Sequence, residues 1–157
     1  MMALAFVTET PTLEQRLDAW GRVLRWRARQ KQAGSKEGAY RSPQHWEPPT
    51  LDKPPPSPDE ARDADEIEQA VCGLSMRYHA LLRAWYVHQA RAESMIRIAR
   101  KIGFVRPTMN EVEAAMAMGK ALLVKQLELP AAVRKQRAKA WVEKNIVRAI
   151  DFGFACD

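Results

Sequence analysis

The sequence of 157 residues contains only two cysteines, Cys72 and Cys156. Two cysteines form neither a disulfide framework nor a zinc knuckle, so we expect a reducing cytoplasm and no metal. No apolar run approaches the roughly 20 residues of a membrane-spanning helix, and the first residues lack the basic region of a signal peptide. There is also no strand-like alternation and no glycine-rich nucleotide-binding loop. These absences predict an all-α protein without membrane contact or cofactor.

Charged residues are grouped along the chain rather than mixed. The formal net charge is +6 at pH 7, which favours a polyanionic partner such as nucleic acid. Residues 76–106 carry seven basic side chains against one acid, and residues 134–148 carry six against one. Residues 59–68 instead carry six acids and one arginine. Such blocks predict charged faces, although a basic run is also the ordinary composition of a solvated face.

The first predicted helix covers residues 12–32. Thr12 and Gln15 have the spacing of a capping box, which satisfies free amide groups at a helix start. Apolar residues recur at steps of three and four on one face, and arginines occupy the other. The apolar set is Leu13, Leu17, Trp20 and Leu24, and the basic set is Arg16, Arg22, Arg25, Arg27 and Arg29. Residues 1–32 are therefore predicted to form an N-terminal segment that consists mainly of this Trp/Arg-rich helix.

Residues 33–58 hold seven of the ten prolines. Proline cannot continue a helix or join a central strand, so this segment is predicted to be an extended arm or linker. Tyr40, Arg41 and Trp46 within it could dock on a partner or anchor the arm to the protein's own core. Ser57 and Glu60 then fit a second capping box. Residues 59–129 are predicted to form a helical domain, and residues 130–157 a basic C-terminal helix and tail.

Apolar periodicity predicts buried residues on three helices within residues 59–129. They are Ile67, Val71 and Leu74 on the first helix, Leu81, Leu82, Trp85 and Tyr86 on the next, and Met109, Val112, Met116, Gly119 and Leu123 on a long helix that starts near Thr108. The acids of residues 59–68 lie in a helix's first turns, where a solvated acidic face suits the positive end of the helix dipole.

The stretch "MIRIARKIGFVRPTMNEVEAAM", residues 95–116, predicts two helices joined by a tight corner. Ala99 and Gly103 have the spacing of a helix-turn-helix, in which a small residue permits close approach and a glycine adopts a left-handed backbone. Val105 is predicted to plug the corner. The same pattern also fits two amphipathic helices that only bury each other, so the periodicity leaves both readings open.

If the corner sits on DNA, its side chains divide into two groups. Arg97, Arg100, Lys101 and Arg106 are placed for phosphates. Thr108, Asn110 and Glu111 lie at the leading end of the second helix, where a recognition helix meets base edges. Thr108 and Glu111 fit a helix cap equally well, and Glu111 with Glu113 would repel phosphates.

No catalytic set is predicted. His45, His79 and His88 do not have the spacing of a metal site, and Cys72 on an apolar face is read as a small core residue. The carboxylates of "DEARDADEIE" could hold magnesium in a nuclease, but their place at a helix start explains them without a metal. We therefore expect a binding protein rather than an enzyme.

The stretch "LSMRYHALLRAWYVHQARAESMIRIARKIG" resembles the fourth conserved region of primary sigma factors. More narrowly, its Trp-Tyr-Val, its "IARKIG" and the preceding "DADEIEQAVCGL" are similar to phage antitermination protein Q. The upstream helix "AWGRVLRWRAR" is also similar to those late-gene regulators. The resemblance covers residues 59–127 and implies a scaffold helix over 94–102 and a recognition helix over 108–118. Pro107, Glu111 and Glu113 depart from the pattern.

The resemblance implies a transcription antitermination factor acting in a bacterial host cell. Such a factor binds duplex DNA at a late promoter, loads onto RNA polymerase paused with its sigma factor, and prevents termination of phage late genes. The Trp/Arg helix and the basic C-terminal helix are then candidates for contact with polymerase or nascent RNA. The alternatives are a sigma-like factor or repressor without antitermination, and a small terminase subunit-like DNA-packaging protein.

Overall fold

The computed structural model describes residues 9–33 and 54–151, and these residues contain helices and no strand. The helices are α1 (Leu13–Ala33), α2 (Pro58–Cys72), α3 (Met76–Leu82), α4 (Ala92–Lys101), α5 (Met109–Leu127) and α6 (Ala131–Asp151). A π-helical turn, Arg83–Val87, continues α3. The prediction of an all-α fold is confirmed for this part of the chain. Tyr40, Arg41, His45, Trp46 and Cys156 lie outside the described residues.

Two predicted helix starts are confirmed by their capping bonds. At α1 the Thr12 amide donates to Gln15 Oε1 at 2.9 Å, and the Gln15 amide donates to Thr12 Oγ1 at 3.4 Å. At α2 Ser57 and Glu60 exchange the same pair of bonds, at 3.0 and 3.2 Å. Each box satisfies amide groups that have no partner within the helix, which explains why α1 and α2 begin where the sequence predicts.

The apolar faces of five helices meet in one core. Its fully buried members include Leu17, Trp20 and Val23 of α1, Ala64, Ile67 and Val71 of α2, Leu81 and Leu82 of α3, Met95 and Ala99 of α4, and Val112 and Leu123 of α5. α1 packs on α2 and on the π-helical turn, while α5 packs on α2, α3 and α4. The Trp/Arg helix therefore shares its core with residues 58–127.

The acidic block of α2 is only in part the solvated face that the sequence predicts. Asp59 and Asp65 are exposed, but three of the carboxylates bind arginines of α1. Asp63 accepts from Arg16 at 2.6 Å, Glu60 from Arg22 at 2.5 Å, and Asp65 from Arg27 at 2.7 Å. The hydrogen bonds from Arg16 to Asp63 raise the pKa of the guanidinium. The acidic and basic runs thus serve as complementary surfaces between two helices.

Trp85 is 42% exposed, which corrects its prediction as a core residue. The cause is the π-helical turn, in which the His88 amide donates to the Arg83 carbonyl five residues earlier, at 3.1 Å. A π-helical turn is wider than an α-helical one and shifts the register of the side chains. Leu81, Leu82 and Tyr86 remain buried as predicted, whereas Trp85 turns outward.

α6 is attached to the bundle through Arg134. This guanidinium donates to the carbonyls of Leu127 and Leu129 at 2.8 and 2.6 Å, and to Glu66 Oε1 at 2.7 Å. It thereby satisfies free carbonyls at the end of α5 and ties α6 to α2. Further along α6, the centroid of the Trp141 ring lies 4.2 Å from the centroid of the ring of His79, which is buried.

Candidate nucleic-acid interface

The corner between α4 and α5, residues 102–108, begins with a Schellman motif. The Gly103 amide donates to the Arg100 carbonyl at 3.2 Å, and the Phe104 amide donates to the Ala99 carbonyl at 3.0 Å. Gly103 has a φ of +102°, a conformation that disfavours any residue with a side chain. Ala99 is fully buried. The left-handed backbone predicted for Gly103 is therefore confirmed.

Val105 does not plug the corner, since it is 87% exposed. Phe104 packs against the core instead, because the residue after a Schellman glycine is the one directed back onto the helix. Arg106 then adopts a φ of +48°, and Pro107 beyond it is buried. Two left-handed residues thus leave Val105 at the outer tip of the turn.

α5 starts with a third capping box. The Thr108 amide donates to Glu111 Oε2 at 2.8 Å, and the Glu111 amide donates to Thr108 Oγ1 at 3.4 Å. Both side chains are exposed, as is Asn110 between them. The cap engages the polar groups of Thr108 and Glu111, which leaves Asn110 as the polar side chain of the first turn with no such bond.

The inner face of α5 is buried as predicted, and its outer face is open. Val112, Met116, Gly119 and Leu123 are buried, with Met109 partly covered. Gly119 allows close contact with α3, since a Cβ there would lie 3.2 Å from Tyr78 Cβ. The exposed residues include Asn110, Glu113, Ala114, Ala117 and Met118. The helix that begins at Met109 is therefore accessible along its leading half.

Four basic side chains surround the corner, and we call Arg97, Arg100, Lys101 and Arg106 the basic rim. All four are exposed, and none forms an ion pair with any residue in the described part of the chain. Arg97, Arg100 and Lys101 share one face of α4, because residues three and four apart are neighbours on a helix. The charge of the rim is thus available to an external anion.

Arg77 adds a basic group that the sequence prediction missed. It is exposed on α3, and its guanidinium lies 4.5 Å from the centroid of the Phe104 ring. A guanidinium over an aromatic face is attracted by the ring quadrupole. Its membership of the basic block 76–106 was the available signal, but only the fold brings α3 to the corner.

Two other basic residues of the predicted blocks, Arg83 and Arg134, are buried in ion pairs with carboxylates of α2. Arg83 is buried and donates to Glu68 Oε1 at 2.6 Å, and Glu68 also accepts from Trp20 Nε1 at 2.8 Å. Arg134 is buried against Glu66. Counting charges along the sequence therefore overstates the positive surface. Exposed basic residues of these blocks lie on α4, at the corner and on α6.

Within residues 9–33 and 54–151 no group of three or more His, Cys, Asp or Glu is placed to hold a metal ion. Cys72 is buried near His79, with Sγ 4.0 Å from its Nε2. No helix in the same residues is long and apolar enough to cross a bilayer.

Comparisons of the chain with protein-family models, curated proteins and solved structures found no match. The resemblance to antitermination protein Q therefore stays a prediction.

Proposed function

We propose that α4, the corner and α5 form a helix-turn-helix that binds duplex DNA. The observation that carries this proposal is the basic rim, which is exposed and unpaired within the described chain beside the open leading half of α5. Phosphate contacts from such a rim fix the position of a recognition helix without reading sequence. A pair of helices that only buried each other would need no such rim.

Selectivity for sequence would be modest. Asn110 is the first-turn side chain suited to adenine, and Ala114 is exposed where it can contact a thymine methyl. Thr108 and Glu111 serve the helix cap, and Glu113 would face the phosphates unfavourably. The rim would therefore supply most of the affinity, which makes binding strongly dependent on salt.

We further propose that this protein is a transcription antitermination factor, with RNA polymerase and its sigma factor as partners. The support is the likeness of residues 59–127 to protein Q, together with an architecture in which α1 and α6 leave the corner free for DNA. Transcription in vitro across a terminator tests it, with templates that have or lack the promoter-proximal DNA. Readthrough that requires both protein and that DNA is expected. Binding without readthrough would indicate a repressor or sigma-like factor, and a ring oligomer would indicate a packaging protein.

DNA binding itself is tested by substituting Arg100→Ala and Lys101→Ala together. We expect weaker binding of a labelled duplex and a plot of log K against log salt that is shallower by about one to two phosphate contacts. The matched control is Lys135→Ala with Lys139→Ala, which removes the same charge from two exposed positions on α6. An unchanged slope in the α4 variant, or an equal change in the α6 variant, would remove the rim from the interface.

A further inference from the structure

A second charged surface lies on α1 and the π-helical turn. There, a cleft of about 630 Å³ is lined by Arg22, Arg25, Trp85 and Gln89, among others. It adjoins a cavity of about 420 Å³, which shares Arg22 and Arg25 and adds Trp26, Arg29 and Pro54–Pro56. We call these two neighbouring cavities the Trp–Arg groove, because arginines and an indole ring line each of them.

The fold holds the Trp85 ring at this groove. Gly21 lets α1 approach the π-helical turn so closely that a Cβ there would lie 2.1 Å from the Tyr86 carbonyl oxygen. Arg25 Nη1 donates to that oxygen at 2.5 Å and to the Val87 carbonyl at 3.3 Å. Trp85 directly precedes these two anchored residues, and its side chain is exposed and lines the cleft. The backbone that carries the ring is therefore held in place before any ligand binds.

The groove carries more positive than negative charge, since its lining includes the acids Asp18 and Glu60 beside the arginines Arg22, Arg25 and Arg29. Burial lowers the pKa of Arg25, and the nearby charge of Arg29 lowers it further. Arg25 bonds to carbonyls rather than to a carboxylate, and Arg29 is exposed. Arg22 forms an ion pair with Glu60, and the Arg22 side chain is 60% exposed. A bound anion would relieve the repulsion among these guanidinium groups.

We propose that the Trp–Arg groove binds an unpaired strand of nucleic acid, with a base stacked on Trp85 and phosphates beside Arg22 and Arg29. Aromatic platforms set among cations are how proteins hold single strands, because every base has a π face. Duplex bases stack on one another and offer no free face, and an acidic peptide would leave the indole unused. The groove involves none of the basic rim, so this binding does not depend on duplex binding.

The test measures fluorescence anisotropy of labelled oligouridine, labelled oligothymidine and a labelled duplex with the full chain. Trp85→Ala is expected to weaken single-strand binding roughly 5- to 100-fold, while Trp85→Phe retains most of it because the ring remains. Arg29→Ala should make the salt slope shallower by about 0.7. Lys125→Ala, which removes an exposed basic residue near the end of α5, should leave the slope unchanged. The Trp85 variants should bind duplex like the parent.

The outcomes separate the two proposals. Loss of single-strand binding in Trp85→Ala with duplex binding intact supports the groove, and binding of RNA only or DNA only identifies which strand it takes. The proposal is overturned if the parent protein binds neither oligonucleotide. It is also overturned if Trp85→Ala and Trp85→Phe behave alike, or if oligoglutamate displaces the strand as well as an unlabelled strand does. Loss of single-strand binding confined to the Arg100 and Lys101 variant would assign that binding to the basic rim and would also overturn the proposal.

Discussion

Gly21→Ala tests how closely α1 must approach the π-helical turn. An added Cβ would lie 2.1 Å from the Tyr86 carbonyl oxygen, 2.8 Å from its carbonyl carbon and 3.1 Å from Arg25 Nη1. Real Cβ contacts essentially never fall below 3.0 Å, so α1 must move away by about 1 Å. The nearest atoms are backbone and cannot rotate aside. The movement also lengthens the hydrogen bond from Arg25 to that carbonyl.

Two effects of this substitution oppose each other. Alanine in place of glycine inside a helix stabilises by about 1 kcal/mol. Overpacking costs about 1–3 kcal/mol, and weakening a hydrogen bond from a charged donor costs about 1.5–3 kcal/mol more. The contact therefore outweighs the propensity, and we expect Gly21→Ala to lower the free energy of unfolding by about 2–4 kcal/mol. For a chain of this size that corresponds to a Tm lower by about 5–15 °C.

Gly119→Ala is the matched comparison. It makes the same change within a helix, but its Cβ would meet the Tyr78 side chain at 3.2 Å, a contact that a shift of a few tenths of an ångström relieves. We expect a change within about 1 kcal/mol. Thermal and denaturant unfolding of both variants followed by circular dichroism measures the difference. A Gly21→Ala protein as stable as the parent would refute the close approach, and with it the positioning of Trp85.

Two further predictions concern contacts that join helices. Arg134→Met should lower the free energy of unfolding by about 2–3 kcal/mol, because carbonyls at the end of α5 and Glu66 lose a buried donor; Arg137→Met, at an exposed position, should change it by about 0.5 kcal/mol or less in the same denaturant titration. Burial and the hydrogen bond to Glu14 raise the pKa of Tyr86 from 10.0 to about 12. Its contribution to stability should be complete below pH 10 and lost as pH rises through 12. Tyr86→Phe should remove this part of the alkaline loss, and identical pH profiles for the two proteins would contradict the assignment.

Helix starts were the most predictable feature of the chain. Thr12, Ser57 and Thr108 each cap a helix with a partner three residues later. The two partners of each cap are only three residues apart, so the bonds are local and no knowledge of the tertiary structure is needed to find them. The turn at Gly103 was predictable for the same reason, since its left-handed backbone favours glycine at that one position whatever the rest of the fold.

The roles of charged residues were predicted less well, because the role of a charged side chain depends on the groups that lie next to it in the folded protein. The acids of α2 are read along the sequence as a solvated run, yet Asp63 and Glu60 bind arginines of α1. Arg83 and Arg134 belong to basic blocks but are buried against α2. In contrast, the exposure predicted for Arg97 and Arg100 is confirmed. The candidate interface is thus one part of the positive charge that stays exposed after the helices have paired, and exposed basic residues of α6 are another.

Bonds between near neighbours in the chain mark where α1, α2 and α5 begin, and the spacing of apolar residues marks the buried face of each. Those features can be read from the residues alone. The position of Trp85 cannot, because the wider turn that exposes it depends on Gly21 and Arg25, which are about 60 residues away. The same holds for Arg77 at the corner. Contacts between distant segments form only in the assembled core, so it is the packing of the helices that distributes the charges and rings among buried pairs and open surfaces.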